Sequence, residues 1–260
     1  MTERPRPIRI WYQSFIDPEA QVPYFRRLRA HLDSRKAPGT VIDIHGLSPP
    51  DRHFHPITEF RGAHRTIRNA LAAQKEGYDA FVIGHFPDPG LPECRGAVDI
   101  PVVGLGEAAL LYGCMLGRKI GLITINPVFV PIIEAQVSAY GLQQRVVGVT
   151  AIEADVERFM RAFEDPEIER QVRSEFEALV QPLVSAGADV IIPSGGMPML
   201  LFGQTQAFII GGAVVLEGIA AVLKTAEMAV AMHRFTSAPA SRSGHYRLAS
   251  SGAISDFLES

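Results

Sequence analysis

Cysteine is almost absent from this chain: Cys94 and Cys114 are the only two in 260 residues. A disulfide framework is thereby excluded, and neither thiol stands at metal-ligand spacing, which fits a reducing cytosol. Long apolar runs are missing as well. The longest, Ala207–Leu216, has ten residues interrupted by two glycines, whereas a membrane span needs about 20. There is no excess of positive charge: 25 Lys and Arg stand against 28 Asp and Glu, for a net −3, which argues against a nucleic-acid binder with a basic stripe. A secretory leader is not expected either. Met1–Pro7 is basic and proline-rich, but the apolar Ile8–Tyr12 that follows is too short for a signal core. The expected location is the cytoplasm, with no membrane and no nucleic-acid partner.

What the chain does have is 47% apolar and 20% charged residues, the composition of a soluble globular protein of one large or two smaller domains. Short apolar runs at Ile8–Tyr12, Thr40–Ile44, Ala80–Ile83, Val102–Val103, Lys119–Thr124, Val146–Val149, Asp189–Ile192 and Ala213–Leu216 predict strands. Most are continuous rather than alternating, as strands buried on both faces are. Between them, Tyr24–Ser34, Thr58–Glu76, Glu107–Leu116, Val128–Tyr140, Pro166–Ala186 and Glu217–His233 predict helices. This alternation means βαβ units, a parallel sheet and an α/β fold, with ligands at the carboxyl ends of the strands.

A weak internal echo aligns Tyr78–His85 with Gly187–Ser194. Either the chain has two similar halves offering strand ends to one cleft, or any two such junctions look alike. At the first junction, Gly84-His85-Phe86-Pro87-Asp88-Pro89-Gly90 is a rigid loop that places His85 at a strand end. An imidazole there can take and return a proton at neutral pH. Asp88 reads as a turn or cap residue. At the second, Pro193-Ser194-Gly195-Gly196 offers a hydroxyl and backbone N–H groups for an oxyanion or carboxylate, or else a plain helix cap. It is not a G-x-S-x-G elbow, since Ile192 stands two before Ser194.

Elsewhere the signals are weak. His45, His53, His55 and His64 lack convincing metal spacing, so no metal is expected. Gly104-Leu105-Gly106 lacks the third glycine and the distant acid of a dinucleotide fingerprint. Thr236–Gly244 reads as a linker or ordered tail, and Tyr246–Leu258 as a segment that could pack on a neighbouring subunit.

Val82-Ile83-Gly84-His85-Phe86-Pro87-Asp88-Pro89-Gly90-Leu91, followed by Asp99-Ile100-Pro101-Val102-Val103-Gly104-Leu105-Gly106-Glu107-Ala108-Ala109, resembles the Asp/Glu/hydantoin racemase superfamily, its hydantoin and allantoin branch in particular. Leu116–Thr124 and Val215–Ala221 fit the same pattern. The resemblance implies two pseudo-symmetric flavodoxin-like domains with parallel sheets, here 1–109 plus 217–260 and 110–216, and an active site between them. It also implies no cofactor, a small-molecule substrate and a homo-oligomer. In that family each half supplies a cysteine at its strand end, one removing and one returning the substrate's α-proton. Here those places hold His85 and Ser194, and Glu217 stands where the family usually has Asp.

A thiol can cycle between acid and base near neutral pH, whereas a serine hydroxyl has no accessible anion there. The expectation is therefore one-base isomerase or lyase chemistry (isomerisation, decarboxylation or elimination) rather than two-thiol racemisation: proton transfer centred on His85, with Ser194, Gly195 and Gly196 holding an oxyanion. Gln13, Phe86 and Thr124 are expected to touch the substrate, a small carboxylate or cyclic amide. The alternatives are a hydrolase opening a cyclic amide with His85 and Ser194, and a non-catalytic binding protein.

Overall fold

The computed structural model describes residues 6–259 apart from 20, 50–52, 54 and 204–207, so the first residues of the chain and the start of the Ala207 run lie outside it. The strand candidates fold as their two-sided burial requires, into parallel ladders. The first half runs β1 (Ile8–Gln13), α1 (Val22–Arg35), β2 (Thr40–His45), α2 (Pro56–Lys75), β3 (Ala80–Ile83), α3 (Leu91–Ala97), β4 (Val102–Gly104) and α4 (Leu105–Leu116). Its sheet has the parallel order β2-β1-β3-β4. The second half runs β5 (Ile120–Thr124), α5 (Val130–Ala139), β6 (Val146–Ala151), α6 (Val156–Arg161), α7 (Pro166–Ser185), β7 (Val190–Pro193), α8 (Gly196–Phe202), β8 (Ile209–Ile210) and β9 (Ala213–Val215). Its order is β6-β5-β7-β9-β8, parallel except for the edge strand β8.

Helix α9 (Gly218–Thr236) then returns to the first sheet, packing on β1, β3 and β4 and beside α4. One continuous core runs through both sheets, from Ile10 and Val82 to Leu122 and Ile191. A smaller one, with Trp11, Phe81 and Ile83, fills the other face of the first sheet. The short helices α3 and α8 were not predicted because Pro92, Gly96, Gly196 and Pro198 lower their helix propensity. Burial of Leu91 and Cys94, and of Met199 and Leu200, overrides it.

The internal echo is real, but its register is one position off. Asp79 exchanges backbone and carboxylate bonds with Arg9 (2.8 and 2.9 Å), as Asp189 does with Lys119 (3.0 and 2.8 Å). The Gly84 N–H donates to the Gln13 carbonyl as that of Ser194 donates to Ile123. Ser194 therefore matches Gly84, and His85 matches Gly195; likewise Ser14 matches Thr124.

The tail beyond α9 is ordered, as one reading of Thr236–Gly244 expected. It folds back on its own chain. Arg242 donates to the carbonyls of Arg95 and Val98, the Ala249 N–H donates to Gly96, and Phe257 of α10 (Ser251–Glu259) packs against His64. No helix among the described residues is long and apolar enough to cross a membrane.

Candidate active site

At the carboxyl ends of β1, β3, β5 and β7 the two halves enclose a cavity of about 660 Å³ of empty space, its open mouth included. His85, Ser194, Thr124, Phe86, Gly195 and Gly196 all line it. The halves meet at its floor, where a methyl group on Gly196 would sit 3.2 Å from the Gly84 carbonyl oxygen.

His85 is held on several sides. Its ring stacks on Phe15, with centroids 4.6 Å apart and planes at 20°, and meets the edge of Phe129 at 6.0 Å. Its Nε2 lies 3.0 and 3.1 Å from the two carboxylate oxygens of Glu59. A carboxylate only accepts, so Nε2 carries a proton directed at it. Glu59 stands in the first turn of α2, whose start is fixed by Pro56 and by a reciprocal cap between His55 and Thr58. Burial raises the Glu59 carboxyl, but the charge and hydrogen bond of His85 outweigh it and hold the group below its usual range.

Glu59 was not legible from sequence. It lies one helix and one strand before His85, and nothing in its spacing marks it as a partner. Ser14 and Tyr24 also line the cavity without having been foreseen. The Tyr24 phenol is pushed up to about 12 by burial, against the lowering effect of its bond to Ser14.

Two expectations need correction. Gln13 does not reach the cavity: its side chain is buried, accepts from Trp11 Nε1 (3.0 Å) and Asn69 Nδ2 (2.7 Å), and donates to the Ser14 and Gly46 carbonyls. The reason is strand length. β1 continues through Gln13, so alternation turns Gln13 to the sheet's other face and brings Ser14 to the cavity. Gly195 is the second. Its N–H donates to the Pro193 carbonyl at 3.0 Å, so oxyanion contacts fall to the N–H groups of Gly196 and Met197 and to hydroxyls. Ser194 is not the helix cap; its Oγ donates to the Ile192 carbonyl at 3.1 Å, and the cap position is Gly195.

The histidine cluster disperses. His45 stacks on Trp11 at 3.4 Å, His55 caps α2, and His64 meets Phe257. Among the described residues no group of three or more His, Cys, Asp and Glu could hold a metal. Cys94 is buried in the smaller core and Cys114 packs at the edge of the larger one, both outside the cavity lining.

The Asp/Glu/hydantoin racemase family model matches residues 14–226. The chain belongs to that family. It is 30% identical over 172 residues to a hydantoin racemase of Pseudomonas sp. (strain NS671), covering 66% of each protein. To a hydantoin racemase of Rhizobium meliloti it is 33% identical over 155 residues, 59% of this chain and 61% of that one. The matches thus span slightly less than two thirds of those relatives' lengths. The solved allantoin racemase of Klebsiella pneumoniae superposes with a TM-score of 0.75 at 23% identity, over 94% of both chains. That likeness establishes the shared two-domain, flavodoxin-like fold of this family member.

Proposed function

We propose that this racemase-family chain is a cofactor-independent isomerase acting on a small neutral cyclic amide. It moves the proton on a carbon beside a carbonyl, with His85 as the acid–base group. The observation that carries this reading is the Glu59–His85 pair on the wall of a cavity that both halves line. The named activities of the similar hydantoin racemases and allantoin racemase support the substrate class. So does the lining, which among the described residues contains no lysine or arginine to neutralise a carboxylate.

The step breaks the ring C–H bond. Its proton passes to the imidazole and its electron pair moves onto the adjacent carbonyl carbon–oxygen unit, giving an enolate. With Nε2–H directed at Glu59, the proton is taken through Nδ1. The carboxylate stabilises the imidazolium that results. Thr124, Tyr24 and the first residues of α8, Gly196 and Met197, line the cavity and supply hydroxyls and backbone N–H groups where the enolate oxygen would develop. The enolate is planar, so once it turns over in the cavity the same ring returns the proton to its opposite face, which inverts the carbon and restores the catalyst. The hydrolase alternative is less favoured, because the Ser194 hydroxyl is turned to the Ile192 carbonyl.

A panel in D₂O followed by proton NMR tests the class. Hydantoins with one substituent beside a carbonyl, and allantoin, are expected to gain deuterium at that carbon, whereas free aspartate and glutamate are not. No exchange in any cyclic amide would overturn the proposal.

A further inference from the structure

The loop carrying His85 is held from the opposite half of the molecule, through a residue outside the cavity lining. Asp88 is buried, with φ of +52°, and its N–H closes a turn onto the His85 carbonyl at 3.0 Å. Its Oδ1 accepts from the Gly106 N–H (3.0 Å), and its Oδ2 from the Glu107 N–H (2.7 Å), so it tethers the loop to the start of α4. The same Oδ2 accepts from Gln136 Nε2 (3.0 Å) and from the Tyr140 hydroxyl (2.8 Å), on and just after α5 of the second half. Gln136 Nε2 also donates to the Phe86 carbonyl at 2.6 Å, one residue beyond His85.

The surroundings are shaped for this contact. A methyl group on Gly104 would collide with the Asp88 carboxyl, and one on Gly106 with the Phe86 carbonyl and Gln136. The Gly-Leu-Gly segment, which carries no nucleotide fingerprint, thus has a steric reason of its own. Several costs converge here: a carboxyl whose burial pushes it up to about 7 against its hydrogen bonds, a left-handed aspartate, and a buried Gln136 Oε1 without a partner among the described residues. Costs concentrated at one contact beside a reactive group point to a role in placing that group.

We infer that Asp88 is a positioning residue: bound by Gln136 and Tyr140, it clasps the His85 loop to the second half and so sets the imidazole against Glu59 and the substrate. This rests on His85 being the acid–base group. Tyr140→Phe removes one clasp bond outside the cavity, and Asp88→Asn turns an amide N–H₂ toward converging donors. For Tyr140→Phe, kcat for deuterium exchange is expected to fall about 5- to 10-fold with KM within about twofold, one hydrogen bond's worth of alignment. The activity-independent readout is the His85 ring N–H proton bonded to Glu59, followed by NMR. It is expected to be sharp in the wild type and broadened or lost in both variants. Folded Tyr140→Phe protein with an unchanged ring signal and unchanged kcat would overturn the clasp, even if Asp88→Asn fails to fold. Should the wild type exchange no substrate while both variants lose the ring signal, the clasp stands and the proposed reaction falls.

Discussion

His85→Ala should lower the rate of substrate deuterium exchange by about 10³-fold, the upper part of what a positioned acid–base group contributes. The size follows from what is left behind. The remaining polar groups of the described lining are the Glu59 carboxylate, held below its usual range, and the hydroxyls of Ser14, Thr124, Ser194 and Tyr24. A hydroxyl anion is inaccessible at neutral pH, and burial pushes the Tyr24 phenol up to about 12, further from use. Cys94 cannot step in, since it is buried outside the cavity and burial drives its thiol upward. The fold should survive, because His85 sits in a loop whose turn is closed by backbone and by Asp88 rather than by the imidazole. Far-UV circular dichroism and a melting curve check this alongside the rate. A well-folded variant keeping more than a tenth of the wild-type rate would remove His85 from the mechanism.

Glu59→Gln should cost about 10- to 100-fold in kcat, because a charge-assisted hydrogen bond becomes a neutral one. Glutamine preserves length and can still accept from Nε2, so the imidazole stays near its place. What disappears is the negative charge that favours the imidazolium formed during proton abstraction. The pH at which activity fails on the acid side should accordingly move down. Stability gives a second sign to check. The Glu59 carboxyl is held below its usual value in the folded chain. Its contribution is therefore present above about pH 4.3, the unfolded value, and lost as pH falls through the lower folded value. The variant should lack that loss. A Glu59→Gln enzyme with the wild-type pH profile would show that the carboxylate is only a structural partner of the ring.

How much of this was legible in the sequence depended on which physical signal each residue carried. β3 and β7 are apolar on both faces, so Ala80–Ile83 matched to the residue and Asp189–Ile192 to within one. His85 was found because a rigid loop follows directly on such a strand. Gln13 was misplaced because a strand end is uncertain by a residue, and with a period of two a single step selects the wrong face. The same one-position error aligned His85 with Ser194, where the backbone bonds align His85 with Gly195. Glu59 could not have been found by pattern, since its pairing with His85 is created only when α2 packs beside β3. Asp88 was readable as a cap and is one. Its second set of partners, Gln136 and Tyr140, belongs to the other half and needed tertiary structure.

The most direct test of single-base chemistry is to incubate each pure enantiomer of a 5-substituted hydantoin with the enzyme in D₂O. Deuterium at C5 is read by NMR and optical rotation by polarimetry on the same sample. A single imidazole that returns its proton to either face predicts that, at low conversion, deuterium enters the recovered starting enantiomer as well as the inverted one, so deuterium gain outpaces inversion. Deuterium confined to the inverted enantiomer, one for each inversion and none in the recovered starting one, would contradict it and require a second acid–base group on the opposite face.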